Sequence, residues 1–417
     1  MKLILSHLTG NANVKAAAAG FTEAQILSGF YVSMAAFPGS VLHRMGALGP
    51  FSEVRRRSFD PKLRPFVKSW PILEIGRLFA YKSGISSLTK AGGIFNIDQV
   101  CQNLDKRVAS GLKTAFRRGA NAVYAYEDVA GYSFSMARSL GMLCLYDLPI
   151  GYWRAAHQLL DVERQKWPEW ISTLPGFSDS EFKLARKDEE LTLADRIFVA
   201  SSFTAKTLEY FPGHLAPVEV IPYGFPPVTA INRLYPKLNK RLKLLFVGSL
   251  SQRKGIANLF EAVKDFGAHI ELTLVGSKTG GHCPALDAAL NSHRWIPSLS
   301  HDEVLKLMRE SDVLVFPSLF EGFGLVITEA MSQGTPVITT DRTAGPDLIT
   351  DGHNGWLIEA GSTDALKASI EEILARPSMI AENGKAALET ARRRPWEDYG
   401  RELAMAVSKV IRRTSVV

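Results

Sequence analysis

The chain has 417 residues and a mass of 45.9 kDa, enough for two or three domains. Its 46% apolar and 22% charged residues exclude a disordered chain, a collagen and a coiled-coil rod, and 49 basic against 42 acidic side chains leave a mild net charge of +7. Cys101, Cys144 and Cys283 stand far apart with no C-x-x-C, which excludes a disulfide framework and a cysteine-only zinc site and favours a reducing cytosol.

In chain order, the start Met1–His7 has too short an apolar run for a signal peptide. Ala24 to Leu42 carries no charge, but Gln25, Ser28, Gly29, Pro38 and Gly39 interrupt it. It reads as a helix end, a buried strand and a turn, not as a membrane span. Strands are expected at Leu3–Leu5, Phe30–Ser33, Ala122–Tyr126, Met142–Tyr146, Ile197–Ala200 and Val218–Ile221 in the first half. In the second half they are expected at Leu244–Val247, Glu271–Val275, Val313–Phe316 and Val337–Thr340. Near-continuous apolar strands separated by helical stretches imply parallel sheets covered on both faces. Prolines 222, 226, 227 and 236 mark a linker between the halves. The expected class is α/β, with two Rossmann-like domains facing across a cleft, and ligands lie outside the carboxyl ends of such strands.

Two loops of the second half stand out. After Leu244–Val247 comes Gly248-Ser-Leu-Ser-Gln-Arg-Lys-Gly255, then a helical stretch Ile256–Lys264. Arg253 and Lys254 precede a helix N-terminus, where the dipole disfavours cations, so a bound anion would explain them. A solvated pair of surface charges is the alternative. After Val313–Phe316 comes Pro317-Ser-Leu-Phe-Glu321-Gly-Phe-Gly-Leu325, then a helix Val326–Gln333. Gly322 and Gly324 allow a turn whose amides can meet phosphate oxygens. Glu321 stands at the helix mouth, and Glu329 lies among Val326, Ile327, Ala330 and Met331, where a carboxylate needs a ligand or an ion pair. An ordinary strand–loop–helix with two surface glutamates is the alternative.

Glu321-Gly-Phe-Gly-Leu-Val-Ile-Thr-Glu329 resembles the E-x7-E signature of retaining glycosyltransferases of family four, which have the GT-B fold. Val315-Phe-Pro-Ser, Ala330-Met-Ser-Gln-Gly-Thr-Pro-Val-Ile, Val247-Gly-Ser-Leu with Arg253-Lys-Gly, Ala194–Phe203 and Val220-Ile-Pro-Tyr-Gly224 also resemble that family. Trp396-Glu-Asp-Tyr399 looks like the start of its final helix. The resemblance runs from about Glu181 to the C-terminus and is architectural before that. It implies an acceptor-binding domain over 1–222, a linker 223–241, a nucleotide-sugar domain 242–394 and a helix 395–417 returning to the first domain. It further implies a retaining transferase of hexosyltransferase type that needs no metal or other cofactor. Arg253 and Lys254 would stabilise charge growing on the departing diphosphate. Glu321 would hold donor-sugar hydroxyls, and Glu329 the ribose. Gly10, Gly248, Ser249, Gly322, Phe323, Gly324 and Leu325 would complete the donor site.

The first half departs from the pattern. Relatives often carry two glycines after strand one. This chain has Gly10 with Asn11 and Asn13, which also suit a helix-capping turn. Asp147 stands where relatives often have a histidine near the donor sugar. At the end of Met142–Tyr146 it would face the cleft, to bind a hydroxyl or act as a base, or would cap a loop before proline. Glu127 and Asp128 have a weaker case of the same kind, and His7 and His157 read as structural. Residues 51–90 hold nine lysines and arginines against three acids, with Phe51, Phe59, Phe66, Trp70, Phe79 and Tyr81 interleaved. They suggest a surface for a lipid-linked acceptor or an anionic membrane, on a cytoplasmic protein at the inner face. A solvated insertion and a nucleic-acid patch are the alternatives, the second ranked last because no nucleic-acid motif accompanies the stretch.

The chain lacks D-x-D, G-x-x-x-x-G-K-[ST], G-x-S-x-G and any zinc spacing. The leading reading is a transferase that extends a polysaccharide or glycolipid from a nucleotide sugar. A nucleotide-sugar epimerase, a phosphorylase and a non-catalytic partner subunit on the same fold are the alternatives.

Overall fold

The structure, a computed structural model, describes residues 2–45, 54, 57–90, 92–174, 179–228, 233, 235 and 241–414. Among them two parallel sheets carry the fold. The first comprises β1 Lys2–Ser6, β2 Leu27–Val32, β3 Val67–Ser69, β4 Ala120–Tyr126, β5 Leu143–Leu148, β6 Arg196–Val199 and β7 Val218–Val220, in the order β3-β2-β1-β4-β5-β6-β7. The second comprises β8 Leu242–Val247, β9 Ile270–Val275, β10 Arg294–Ile296, β11 Val313–Phe316, β12 Val337–Thr340 and β13 Trp356–Ile358, in the order β10-β9-β8-β11-β12-β13. β4 and β11 are almost wholly buried, as their apolar runs require, and β8 is buried apart from Lys243 and part of Val247.

Each sheet reverses its order once, between β1 and β4 and between β8 and β11. At such a switch point the loops from two neighbouring strands part and leave a crevice. The helix Trp396–Thr414 packs against Ala12–Glu23 of the first half. Its start is clasped to the chain leaving β7: Phe225 N–H donates to the Arg394 carbonyl at 2.8 Å, and Arg394 Nη2 donates to the Pro222 carbonyl at 2.6 Å. Tyr223, Phe323, Trp396 and Tyr399 form one aromatic cluster where the halves meet, with ring centroids 4.8–6.0 Å apart. The architecture is GT-B. Much of the expected linker, residues 229–232, 234 and 236–240, lies outside the described residues.

Candidate active site

β8 and β11 are neighbours running the same way, so their carboxyl-end loops leave the sheet on the same side, at the crevice, and are pinned to each other there. The loop after β8 ends in a 3-10 turn, Gln252–Lys254, closed by Gly255 at φ 70°. A Cβ at Gly255 would lie 2.0 Å from the Pro317 carbonyl oxygen, so only glycine lets this turn seat on the β11 loop. The Arg253 carbonyl then accepts hydrogen bonds from Leu319 N–H at 2.9 Å and Ser318 Oγ at 3.2 Å.

These contacts bring Arg253, Lys254 and Glu321 together. Arg253 Nη1 donates to the Phe320 carbonyl at 2.8 Å and to Glu321 Oε2 at 3.2 Å. Lys254 Nζ pairs with the same carboxylate oxygen and lies 4.7 Å over the Phe316 ring. Two basic side chains thus share one carboxylate. Burial holds the Arg253 guanidinium below its usual value. Burial first, and Arg253 second, hold the Lys254 ammonium well below its own. An additional anion here would offset that cost.

Glu321 opens the segment that leads into the helix Leu325–Ser332, with Gly324 at its N-cap in the left-handed region, φ 88°. The first amides of this helix and its dipole favour an anion at that end. Glu329 follows Leu325 by one turn on the same half-buried face. Burial raises its pKa, and His301, 3.8 Å away, opposes the rise. Gly322 is wedged between the halves. A Cβ there would meet the Pro149 carbonyl oxygen at 2.0 Å, and the Gly322 carbonyl accepts bonds from Ser201 Oγ at 2.5 Å and Thr204 Oγ1 at 2.9 Å. Ser201 sits in a motif quoted above for the family likeness, but nothing in the sequence gave it this task.

The remaining expected residues divide. Gly248 and Ser249 begin the loop that carries Arg253, and Gly248 N–H is spent on the Val275 carbonyl at 2.9 Å. The Phe323 ring is buried against Tyr223, so only its backbone faces the helix mouth. Gly10 is explained within its own half: a Cβ would lie 2.3 Å from the Phe59 ring. Asn11 holds the N-cap position of Ala12–Glu23 without a side-chain capping bond.

Asp147 does not face the cleft, contrary to expectation. β5 runs on through Leu148, so Asp147 is still inside the strand and its side chain turns into the core. There it accepts a hydrogen bond from Tyr124 Oη at 2.6 Å, beside Tyr126, Tyr223 and Tyr399. Burial pushes its pKa up to about 7, against hydrogen bonds from Tyr124 and Tyr126 that lower it. Glu127 and Asp128 are engaged by Lys187 and Arg186, each at 3.3 Å. His7 is structural: burial lowers its pKa to about 4, and its ring sits edge-on to Tyr126.

The basic stretch is also corrected in part. Arg57 is buried and paired with the fully buried Glu74, which Arg77 also contacts at 2.8 Å. Phe59 belongs to the core. Phe51, Arg55 and Arg56 lie outside the described residues. Among the described residues, no helix is long and apolar enough to cross a membrane.

Comparison with known proteins bears on the fold and on the second half of the chain. Residues 228–390 match the family described as "Glycosyl transferases group 1". An uncharacterized glycosyltransferase of Methanocaldococcus jannaschii is 33% identical over 172 residues, 40% of this chain and 46% of that protein. The phosphatidyl-myo-inositol mannosyltransferase of Mycobacterium leprae is 30% identical over 168 residues, 39% of this chain and 44% of that protein. The alignment thus spans just under half the length of these relatives. In three dimensions, sucrose-phosphate synthase from Thermosynechococcus elongatus superposes with a TM-score of 0.64 at 17% identity, over 100% of this chain and 99% of that one. Anabaena HepE in complex with UDP and glucose gives 0.61 at 17% identity, over 98% and 100%. Residues 228–390 thus match the group 1 glycosyl transferases, and the chain as a whole has the GT-B fold.

Proposed function

We propose that the protein is a retaining glycosyltransferase that moves a sugar from a nucleoside-diphosphate sugar to a glycan or lipid-linked acceptor without a metal. One observation carries the reading: two cations from the β8 loop converge with Glu321 at the mouth of the helix that holds Glu329. When the glycosidic carbon–oxygen bond breaks, its electron pair stays on the distal phosphate oxygen. Arg253, Lys254 and the amides heading Leu325–Ser332 oppose that growing charge, which is the largest single contribution in reactions of this kind. The acceptor hydroxyl attacks from the face the phosphate leaves, and its proton passes to the departing phosphate. Glu321, already held by both cations, orients donor hydroxyls, and Glu329 accepts hydrogen bonds from the ribose. The relatives whose printed names are transferases support this reading over an epimerase. A purified-protein assay with a panel of nucleotide sugars, in excess chelator, tests it. Release of nucleoside diphosphate with retained anomeric configuration is expected. Activity that vanishes with chelator and returns with magnesium or manganese would contradict the metal-free reading.

The acceptor side extends to a membrane in the same proposal. On the helix Ile72–Lys82, Ile72 is 80% and Phe79 65% exposed, with Ile75 between them at helical spacing. Basic residues of the surrounding stretch suit an anionic leaflet. Co-sedimentation with anionic vesicles is expected at low salt and to fall at 1 M salt, where the screening length drops to about 3 Å. Equal binding by a variant with Ile72→Ser and Phe79→Ser would argue against this face.

A further inference from the structure

The segment 163–174 follows β5 in the chain but ends inside the other half of the molecule. The helix Trp153–Lys166 leads into a 3-10 turn, Pro168–Thr173. Trp170 is buried and stacks on Phe260, in the core around the second sheet, with centroids 5.8 Å apart. Lys166 Nζ donates to the Gly361 carbonyl at 2.5 Å, and the Ser172 carbonyl accepts from Gly281 N–H at 3.0 Å. The strap is therefore anchored at both ends of its path across the second half.

Near its end, Thr173 reaches the cationic turn. Thr173 is fully buried; its Oγ1 accepts the Gln252 backbone N–H at 3.0 Å and donates to the Trp170 carbonyl at 2.8 Å. Gln252, the residue before Arg253, is also fully buried. Its amide nitrogen donates to Glu163 Oε2 at 3.1 Å and Asn258 Oδ1 at 3.0 Å, and its amide oxygen accepts Ala257 N–H at 2.9 Å. Its own carbonyl accepts Gly255 N–H at 2.8 Å. Every polar group of Gln252 is thus bound. Rotating its amide by 180° would face its oxygen to Glu163 and Asn258 oxygens, so only one orientation is satisfied.

We infer that Thr173 and Glu163 are positioning residues for the Arg253–Lys254 turn, so that a strap from the first half sets the geometry of the donor site in the second. This rests on the proposed role of Arg253 and Lys254 at the diphosphate. A small displacement of groups that stabilise a transition state lowers turnover more than it lowers binding, by up to about a hundredfold for 1 Å.

The test compares Thr173→Val, Thr173→Ser, Glu163→Leu and Glu163→Gln in full-length protein, measuring kcat and donor KM per folded molecule, with Arg253→Ala alongside. Valine removes the acceptor for Gln252 N–H, and serine keeps it. Leucine removes the acceptor for the Gln252 amide, and glutamine keeps one. Thr173→Val and Glu163→Leu should lose about ten- to hundredfold in kcat with a smaller change in KM, while serine and glutamine return most of it. If Arg253→Ala is impaired but kcat per folded molecule is normal in Thr173→Val and Glu163→Leu, the positioning role is wrong and the donor reading stands. If serine and glutamine fail as badly as valine and leucine, the hydroxyl and the acceptor oxygen are not what matters, and the inference also fails. Normal turnover in Arg253→Ala would instead sink the donor reading itself.

Discussion

The two halves share a layout but use it differently. In the second, the loops leaving the switch-point strands carry cations and a carboxylate to a shared point. In the first, the equivalent positions are filled by aromatic rings: Phe59 covers Gly10, and Asp147 is surrounded by Tyr124 and Tyr126 of its own sheet, Tyr223 of the segment after β7 and Tyr399 of the returning helix. Standing near a strand's carboxyl end is thus not sufficient to make a cleft residue. What packs over it decides whether its polar group faces a ligand or the core.

The largest expected effect sets these regions against each other. Arg253→Ala or Lys254→Ala should lower kcat by about 10²–10³, the loss seen when one stabiliser of developing charge is removed. Asp147→Asn, which keeps an acceptor for Tyr124, should leave kcat within about threefold, because the group does not reach the donor. Steady-state kinetics on the three variants checks this, and a reversed order would restore Asp147 to the cleft.

Within the second half, the two glutamates should separate. Glu321→Gln should lower turnover, since its carboxylate organises both cations. Glu329→Ala should weaken binding of a free nucleoside diphosphate by about tenfold or more, the worth of hydrogen bonds to a charged group. Unchanged affinity in Glu329→Ala would remove it from the ribose site.

A smaller effect concerns stability. Asp147 has a folded pKa near 7 against an ordinary value of 3.8. The folded state therefore holds its proton more tightly than the unfolded chain. Its contribution is full below about pH 4, declines as pH rises through 7, and is flat above, with a span of at most about 4 kcal/mol. Thermal unfolding of Asp147→Asn relative to the parent should show a gain that grows from pH 4 to 8. A difference that does not change with pH would show that Asp147 is ionised throughout.

Much of this was legible in residue order. β11 and β12 fall where their apolar runs lie, and Arg253, Lys254 and Glu321 stand on loops whose strands pair. β3, β10 and β13 were not anticipated, because Val67-Lys-Ser, Arg294-Trp-Ile and Trp356-Leu-Ile are three-residue edges without a period. Asp147 was misplaced because the strand was ended at Tyr146, and continuing it to Leu148 turns the side chain inward. Thr173 and Glu163 gave no signal: their partner Gln252 lies 79 and 89 residues away.

The central claim is that the second half's convergent loops bind the diphosphate without a metal. Calorimetric titration of a nucleoside-diphosphate panel, in chelator, tests it most directly. At least one diphosphate should bind the parent and Asp147→Asn alike and lose most of its affinity in the double variant Arg253→Ala, Lys254→Ala. Affinity unchanged by the double variant, or no diphosphate binding to the parent at all, would contradict the account.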